Sequence, residues 1–589
     1  MCVGGLDMFI KNGRLTADKI SGRVAAAAGS NRGDLLLKNA RLVNMLTRDI
    51  TTKNLLIKGS HIAAVGSSYD SAKEIIDLDG GYVVPGLIDA HLHIESTLLF
   101  PPALAETIVP HGTTTVVNDP HEIANVLGLD GVKMMLDAAT CLPCDFLSTA
   151  PSCVPATDME TAGGEITLED IRELLSHSRV IGLGEMMNYP GVIDADPAVL
   201  GKIAATLHAG KPVDGHAPGL SGKDLQAYLS AGISTDHECI TAEEALEKLD
   251  YGMKIIIRHG SASSSLAELI PLVNDANVSS FMFGSDDREA AELLEKGHIN
   301  NLLETAISMG ADPFLMLRVA TMSAAQHYRL YDRGLLAPGY RADIAVLDDL
   351  SGFNVRLVVK DGRIVARQGR LVEPVAEHTP PAEALQTVKL PHNLSGSDFR
   401  LTAVTGNMPV IGVMPGQLIT EKLMQQVTAE SSGNVAAKPE DNLNKIAVVE
   451  RHKGSGRIAV ALVRGMGLKE GALASSVAHD SHNIIVVGVE ENAMASAVNE
   501  IGRLGGGFVA VDGSGVVKAS LPLPIGGLMS LKTAAEVAGE MNKLLQAAEE
   551  LGSRLPQPFL TMSFLALPVI PSLKITDRGL FDVDSFSFI

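Results

Sequence analysis

Short apolar runs alternate in the middle of the chain with longer segments in which apolar residues recur every three or four positions. The first pattern predicts buried β-strands, and the second predicts helices with one apolar face. With the strand before His91 there are eight such runs, the others being "TTTVVND", "CDFLSTAPS", "RVIGLGE", "KPVDGH", "GISTDH", "MKIIIRHG" and "SSFMFGSDD". The helical segments between them include "TLEDIRELLSHS", "GKDLQAYLSAG", "TAEEALEKLDYG" and "HINNLLETAISMG". This number and length of repeats is typical of a TIM-like (β/α)8 barrel, which we predict over residues 86–334.

Shorter strands, broken by Gly, Asn and Asp turn signals, flank the predicted barrel on both sides. We predict that residues 1–85 hold an N-terminal segment and the first part of a small split β domain. Residues 335–394 then supply its second part and a linker. New strands and helices follow the linker "EPVAEHTPPAEAL" and predict an additional C-terminal α/β domain over residues 395–589.

Composition narrows the functional classes. A chain of 589 residues is too long for one core, and its formal net charge of −21 argues against nucleic acid or an anionic membrane as a partner. Five cysteines favour a reducing compartment over a disulfide framework. No apolar run reaches the roughly 18 residues of a membrane span, and the N-terminus lacks a signal-peptide pattern. We therefore expect a cytoplasmic protein.

The segment "DAHLHIESTLLFPP" places two histidines, His91 and His93, at the end of an apolar strand. Residues two apart on a strand project to the same side. Two adjacent imidazoles are either a metal-binding pair or a costly polar patch, and the remaining strand ends decide between these readings.

Polar side chains follow five of the eight predicted strands, where the chemistry of such barrels lies. A lone histidine is more often a core or surface residue, but burying all these groups unpaired would cost several kcal/mol. Imidazole and carboxylate suit first-row divalent ions, so we favour a metal site that Mn, Fe or Zn could occupy. In chain order the residues are His91, His93, Glu185, His216, His237, Asp286 and Asp287.

The segment "VVPGLIDAHLHIE", the later strand-end Glu, His, His and Asp, and "GLLAPGYRADIAVLD" resemble the metal-dependent amidohydrolase superfamily from residue 34 to about residue 370. The resemblance implies that the His-x-His pair binds the more buried metal and that the two later histidines bind the second. Asp286 would bind metal and act as base and proton shuttle. Many members bridge the metals with a carboxylated lysine, and Glu185 stands at that position here. The implied ligands are His91, His93, Glu185, His216, His237 and Asp286.

A narrower resemblance, to the bacterial adenine deaminases, runs nearly end to end. It rests on "NDPHEIANV", "GEMMNYPGV", "DGHAPGLSGKDL", "EGALASSVAHDSHNIIVVG" and "LPLPIGGLMS". It implies hydrolytic deamination of adenine to hypoxanthine and ammonia, in purine salvage, by hydroxide activated at two divalent ions. We expect Mn²⁺ first, with Fe(II) or Zn²⁺ as alternatives, and a homodimer. Asp286, Glu122 and His237 are the predicted catalytic residues.

A purine is flat and neutral, so its recognition needs donors and acceptors along its edge. Asp119, His121 and Glu122 follow the second strand in "NDPHEI" and are the predicted edge-binding residues, together with Glu95. The plainer alternatives are that Asp119 only opens the following helix and that Glu95 orients a metal ligand.

Two features leave alternatives open. The loop "HDSHN", with His479, Asp480 and His482, covers the barrel mouth, binds a further metal, or is structural. The rival functions are cleavage of a cyclic amide such as a hydantoin or dihydropyrimidine, and an inactive barrel used for assembly. The second rival expects lost ligand positions, whereas all of them are filled here.

Overall fold

The computed structural model describes residues 16–261 and 263–589; the first fifteen residues, where we read no signal peptide, lie outside this part. The described chain begins with the helix Ala17–Ala27, which starts where the Thr16 hydroxyl accepts the Lys19 N–H. Five strands follow before residue 86: β1 (Gly33–Asn44), β2 (Asp49–Lys58), β3 (His61–Val65), β4 (Ala72–Asp77) and β5 (Tyr82–Pro85).

Strands coincide with all eight predicted apolar runs: β6 (Leu87–Leu92), β7 (Thr113–Asn118), β8 (Asp145–Ala150), β9 (Val180–Met186), β10 (Val213–Gly215), β11 (Thr235–Asp236), β12 (Lys254–Arg258) and β13 (Phe281–Gly284). They form a five-stranded parallel sheet, β10-β9-β8-β7-β6, and a three-stranded parallel sheet, β11-β12-β13. A parallel bridge joins Leu92 to Asp286, and the Ser234 N–H donates to the Val213 carbonyl at 3.0 Å. The two sheets therefore meet at both ends, and we call them and their helices the parallel unit.

Helices separate these strands, and the four segments predicted to be helical are among them. Thr167 and Asp170 form a capping box at the start of one helix, and the Thr241 hydroxyl caps another. The helices are Pro101–Ile108, His121–Ala138, Leu168–Ser176, Tyr189–Ile193, Pro197–His208, Gly222–Ser230, Ala242–Asp250, Leu266–Leu269, Ala290–Lys296, Ile299–Ser308, Pro313–Arg318 and Ala324–His327. The mixed α/β class expected from the sequence is confirmed.

The two flanks of the parallel unit share one sheet. After the parallel unit come β14 (Ile344–Leu347), β15 (Val355–Lys360), β16 (Arg363–Arg367) and β17 (Arg370–Leu371). β14 pairs antiparallel with β5, so both flanks contribute to a nine-stranded sheet ordered β17-β16-β15-β14-β5-β1-β2-β3, with β4 beside β1.

Residues 395–589, the C-terminal region, contain a second large sheet. Its order is β19-β18-β21-β20-β23-β22-β24-β25. The strands are β18 (Gly406–Val413), β19 (Thr420–Val427), β20 (Leu443–Val449), β21 (Ile458–Arg464), β22 (Ala472–Ser475), β23 (Ile484–Gly488), β24 (Gly507–Val511) and β25 (Val517–Pro522). The helices are Glu491–Leu504, Ala534–Glu550 and Pro558–Phe564, and a small sheet follows with β26 (Leu573–Thr576), β27 (Gly579–Asp582) and β28 (Ser587–Phe588).

One apolar core extends from the parallel unit into the C-terminal region. Buried side chains of both, such as Leu104 and Leu544, belong to a single contiguous cluster. Across this junction the Ser530 N–H donates to the Leu98 carbonyl at 2.8 Å. Within residues 16–261 and 263–589, the helices lack the combination of length and apolar character needed to cross a membrane.

Candidate active site and metal centre

The structure brings the predicted metal ligands together at the carboxyl ends of the parallel strands. All six are buried except His216, whose side chain is partly exposed. Sets of three donor atoms lie within 4.8 Å of one another, which is close enough for one metal ion to bind each set. These sets include His91 with His93 and Glu185, Glu185 with His216 and His237, and His91 with His237 and Asp286.

Glu185, which ends β9, lies at the centre of the cluster. Its Oε1 is 3.3 Å from His93 Nε2, whereas its Oε2 is 2.7 Å from His216 Nδ1 and 3.1 Å from His237 Nε2. Burial alone would raise the pKa of this carboxyl, but the imidazoles of His237 and His216 hold it well below its ordinary value. An ionised carboxylate with one oxygen facing each side has the geometry of a bridging ligand.

The local fold fixes the orientation of the His-x-His pair. His93 Nδ1 lies 3.0 Å from the Asp119 carbonyl oxygen, which can only accept, so Nδ1 carries the proton and Nε2 is free to bind a metal. Asp89 accepts the backbone N–H groups of both His91 and Ser285, at 3.1 Å each, and so ties the ends of β6 and β13 together.

His91 supplies a test of whether a metal fits. Its ring stacks on His237 at 4.2 Å, and its buried Nε2 has no hydrogen-bond partner while lying 3.5 Å from Asp286 Oδ1. A buried, unsatisfied imidazole nitrogen costs free energy unless something binds it. The donor set of imidazoles and carboxylates therefore fits divalent first-row ions.

Asp286 follows β13 and faces both the histidines and a cation. Its Oδ1 is 3.3 Å from His93 Nε2, and its Oδ2 accepts a hydrogen bond from Arg258 Nη1 at 2.8 Å. Burial would raise its pKa, but the nearby imidazoles of His91 and His93 and the charge of Arg258 hold it well below the ordinary value.

Asp287 has a different environment from its neighbour. It accepts the Ser96 hydroxyl at 2.5 Å, and burial together with the charge of Asp286 raises its pKa. The next residue, Arg288, points elsewhere and donates to Asn301 and to the His298 carbonyl.

The turn after β7 places Asp119 and His121 against Glu185. Asp119 Oδ2 accepts the Glu185 backbone N–H at 2.8 Å, while its buried Oδ1 has no hydrogen-bond partner. His121 Nδ1 lies 3.4 Å from Glu185 Oε1, and its ring is 4.6 Å from that of His93. Asp119 and His121 thus lie beside the cluster, and Asp119 also holds the backbone of Glu185.

Glu95 and Glu122 form an acidic pair beside the cluster of predicted metal ligands. Glu95 Oε1 accepts the Ile123 N–H at 3.1 Å, whereas its Oε2 is buried without a partner. Burial, and then the charge of Glu122, raises the pKa of Glu95 to about 7. One of these carboxyls can therefore donate a hydrogen bond, and the other can accept one.

The "HDSHN" loop reaches the mouth of the parallel unit, which is the position needed for a loop that covers this mouth. His479 Nδ1 lies 2.7 Å from Glu122 Oε1, and His482 Nε2 contacts Glu122 Oε2. Asp480 is buried beside them, with Oδ2 unsatisfied. A small cavity opens here between the two regions, and Ser96, Asp287, His479, Gln557 and Phe559 are among its lining residues.

Two residues of the cluster were missed by sequence reasoning. Arg258, at the end of β12, forms a two-bond ion pair with Glu238, whose Oε1 lies 3.4 Å from His237 Nε2. The sequence contained a clue to both residues, because Glu238 directly follows a predicted ligand and Arg258 ends the apolar run "KIIIR". Only the contacts in the folded structure reveal what they do: Arg258 donates to Asp286, and Glu238 contacts His237.

Known proteins match the chain over nearly its whole length. The family model of the adenine deaminase C-terminal domain matches residues 417–587, and that of the amidohydrolase family matches residues 82–365. Adenine deaminase from Desulfatibacillum aliphaticivorans is 47% identical over 567 residues, which is 96% of this chain and 98% of its own. Adenine deaminase from Methanothrix thermoacetophila is 45% identical over 571 residues, or 97% and 99% of the two chains. A solved β-aspartyl dipeptidase from Fervidobacterium islandicum AW-1 is 16% identical, covering 59% of this chain and 100% of its own, with a TM-score of 0.46.

Proposed function

The chain belongs to the adenine deaminases, a family of amidohydrolases, and we propose that it converts free adenine to hypoxanthine and ammonia at a dinuclear metal site. One observation carries the proposal. Glu185 turns one carboxylate oxygen to His93, 3.3 Å away, and the other to His216 and His237, 2.7 and 3.1 Å away. Two ions held on either side of this carboxylate account for the burial of so many polar groups.

In this proposal His91 and His93 would hold one ion, His216 and His237 would hold the other, and the Glu185 carboxylate would be shared between the two sites. Asp286 completes the set of ligands. When bound, such a pair of ions lowers the pKa of water and polarises the group under attack. Mn²⁺ is our first choice, and Fe(II) and Zn²⁺ are also compatible with these donors.

Asp286 is the base that we assign to the reaction. Water adds its oxygen to C6 of adenine, and Asp286 takes one proton and passes it to the amino nitrogen, which departs as ammonia when the C6–N bond breaks. The second proton of the water ends on the ring nitrogen N1. Arg258 keeps Asp286 ionised for this role, and His237 lies beside the bridging Glu185 to orient the attacking water.

The purine edge is read, we propose, by the carboxyls after β6 and β7. Glu122 is held as a carboxylate, whereas Glu95 has a pKa near neutrality and an unsatisfied oxygen, so together they supply an acceptor and a donor. Asp119 Oδ1 and His121 add further polar atoms at the rim. Glu122 is also the group that we assign to proton transfer at N1.

The proposal includes the setting of this site. The parallel unit is a closed (β/α)8 barrel over residues 86–334, flanked by the split β domain of residues 1–85 and 335–394, and the C-terminal α/β domain spans residues 395–589. The enzyme acts in the cytoplasm in purine salvage, as a homodimer, without a nucleic acid or membrane partner. Light scattering of the purified protein tests the dimer.

Substrate conversion is the decisive experiment. Enzyme loaded with Mn²⁺ should remove the ultraviolet absorbance of adenine with matching release of ammonia. A site that hydrogen-bonds a substrate edge rejects analogues lacking those groups by ~10⁴-fold or more, so adenosine should react little and cytosine not at all. Hydrolysis of a hydantoin or dihydropyrimidine without turnover of adenine would support the rival function instead.

A further inference from the structure

Two histidines of the C-terminal region contact the substrate-edge carboxylate of the parallel unit. His479 Nδ1 lies 2.7 Å from one oxygen of Glu122, and His482 Nε2 contacts the other. We call Glu122, His479 and His482 the Glu122 clamp. All three side chains are more than nine-tenths buried, so water does not compete for these contacts.

The proton positions of the clamp follow from its neighbours. The Ala478 N–H donates to His482 Nδ1 at 3.2 Å, so Nδ1 carries the lone pair and Nε2 carries the proton that points at Glu122. An Nε2 that bears a proton cannot bind a metal. His479 Nδ1 faces a carboxylate oxygen and therefore also donates. The clamp thus places one nitrogen of each of two imidazoles in contact with the two oxygens of one carboxylate.

Both imidazoles are held in place by the C-terminal region itself. The His479 ring stacks on Phe564 with centroids 4.6 Å apart and planes 16° apart. The fully buried Arg451 donates from Nε to the His482 carbonyl. Burial lowers the pKa of His479, but Glu122 and the nearby carboxyls of Asp287 and Asp480 together raise it to about 9, which agrees with a protonated donor.

We propose that His479 and His482 are positioning residues that hold both oxygens of Glu122, so that the C-terminal region takes part in recognising the purine edge but not in binding metal. This inference rests on the proposed function. Without the clamp, Glu122 would be free to rotate in a pocket that also contains the buried Glu95, and its lone pairs would no longer be fixed toward the substrate.

A double-mutant cycle tests the proposal in the full-length, metal-loaded enzyme. His479→Leu and His482→Leu each remove a donor, and we expect kcat/KM for adenine to fall ~10–100-fold, as for other residues that orient an active group. Metal content, measured by mass spectrometry, should stay at the wild-type value. His479→Asn and His482→Gln keep an N–H near the original position and should recover part of the loss. The exposed His392, which lies in the linker just before the C-terminal region, is changed to Leu as the control for a histidine outside the clamp.

The coupling to Glu122 separates the clamp from a general structural role. Glu122→Gln leaves both imidazoles in place. If a leucine variant fails to fold, this variant still tests whether the carboxylate that the imidazoles contact is needed for turnover. In the Glu122→Gln background, His479→Leu should change kcat/KM by no more than about twofold, because the group through which it acts is already lost. Independent, multiplicative losses would overturn the proposal.

Two further outcomes are also informative. Loss of an ion from His482→Gln, or three ions per chain in the wild type, would overturn the clamp in favour of a third metal site. Wild-type enzyme that holds its metal and leaves adenine unchanged would refute the proposed function itself. Turnover by the wild type with independent losses in the cycle refutes the clamp alone.

Discussion

Replacing Asp286 by Asn is the sharpest test of the proposed chemistry, because the chain provides a matched control next to it. The amide is nearly isosteric but cannot accept a proton. Asp286 contacts His91, His93 and Arg258, whereas Asp287 accepts a hydrogen bond from the Ser96 hydroxyl. The same change at two adjacent buried positions thus removes a base in one variant and a structural acceptor in the other.

The expected losses differ in size. Positioned acid–base catalysis contributes ~10²–10⁴-fold, which is about 3–5 kcal/mol of barrier. An Asn oxygen at position 287 can still accept the Ser96 hydroxyl, and a typical hydrogen bond is worth ~0.5–1.5 kcal/mol, so Asp287→Asn should cost at most about tenfold. Both variants should fold, because Arg258 keeps its ion pair with Glu238, with one bond at 2.8 Å.

The assay is the rate of adenine loss per bound metal, with metal content measured on the same samples. Asp286 is also a proposed ligand, so normalising to metal separates weaker binding from lost base catalysis. Melting temperatures within a few degrees of wild type would establish that both variants are folded. Equal losses in the two variants would refute the assignment of Asp286 as the base.

Three further predictions concern the metals and the fold. Glu185→Gln should lower both bound metal and turnover, and two ions per chain with full turnover would show that the bridge is wrongly assigned. Removing divalent ions with a chelator should abolish turnover and lower the melting temperature, and adding Mn²⁺ should restore both; activity that survives complete removal contradicts the metal site. Burial lowers the pKa of Lys574 from 10.5 to about 7, so its stabilising contribution is complete above pH ~10.5 and is lost as the pH falls toward 7, at about 1.4 kcal/mol per pH unit. Lys574→Met removes hydrogen bonds to the Leu418 and Phe564 carbonyls at any pH, but its melting temperature relative to wild type should be higher at pH 7 than at pH 9, and an equal difference at both values would contradict the lowered pKa.

The strands and the proposed ligands could be predicted because they depend on local pattern. An apolar run that ends in a polar residue marks the carboxyl end of a buried strand, and His91, Glu185 and His216 all follow this rule. The parallel arrangement then brings such residues together regardless of their distance along the chain.

The contacts made by Arg258 and by the Glu122 clamp could not be predicted in the same way. Arg258 reads locally as the polar end of a strand, and its pairing with Glu238 and Asp286 depends on side-chain directions that periodicity does not specify. His479 and Glu122 lie in different regions, and only the packing of one region on the other makes them partners. The sequence therefore identified the residue types of "HDSHN" without choosing among a lid, a metal site and a structural turn.

The shared apolar core limits how this enzyme can move. Separating the C-terminal region from the parallel unit would expose side chains such as Leu104 and Leu544 to water, so a large hinge opening is disfavoured. Adenine must then enter and ammonia must leave through local motion around the cavity lined by Gln557 and Phe559, while the two halves stay joined. We expect one cooperative melting transition for the whole chain, and we expect amide hydrogens on both sides of the junction to exchange at similarly slow rates.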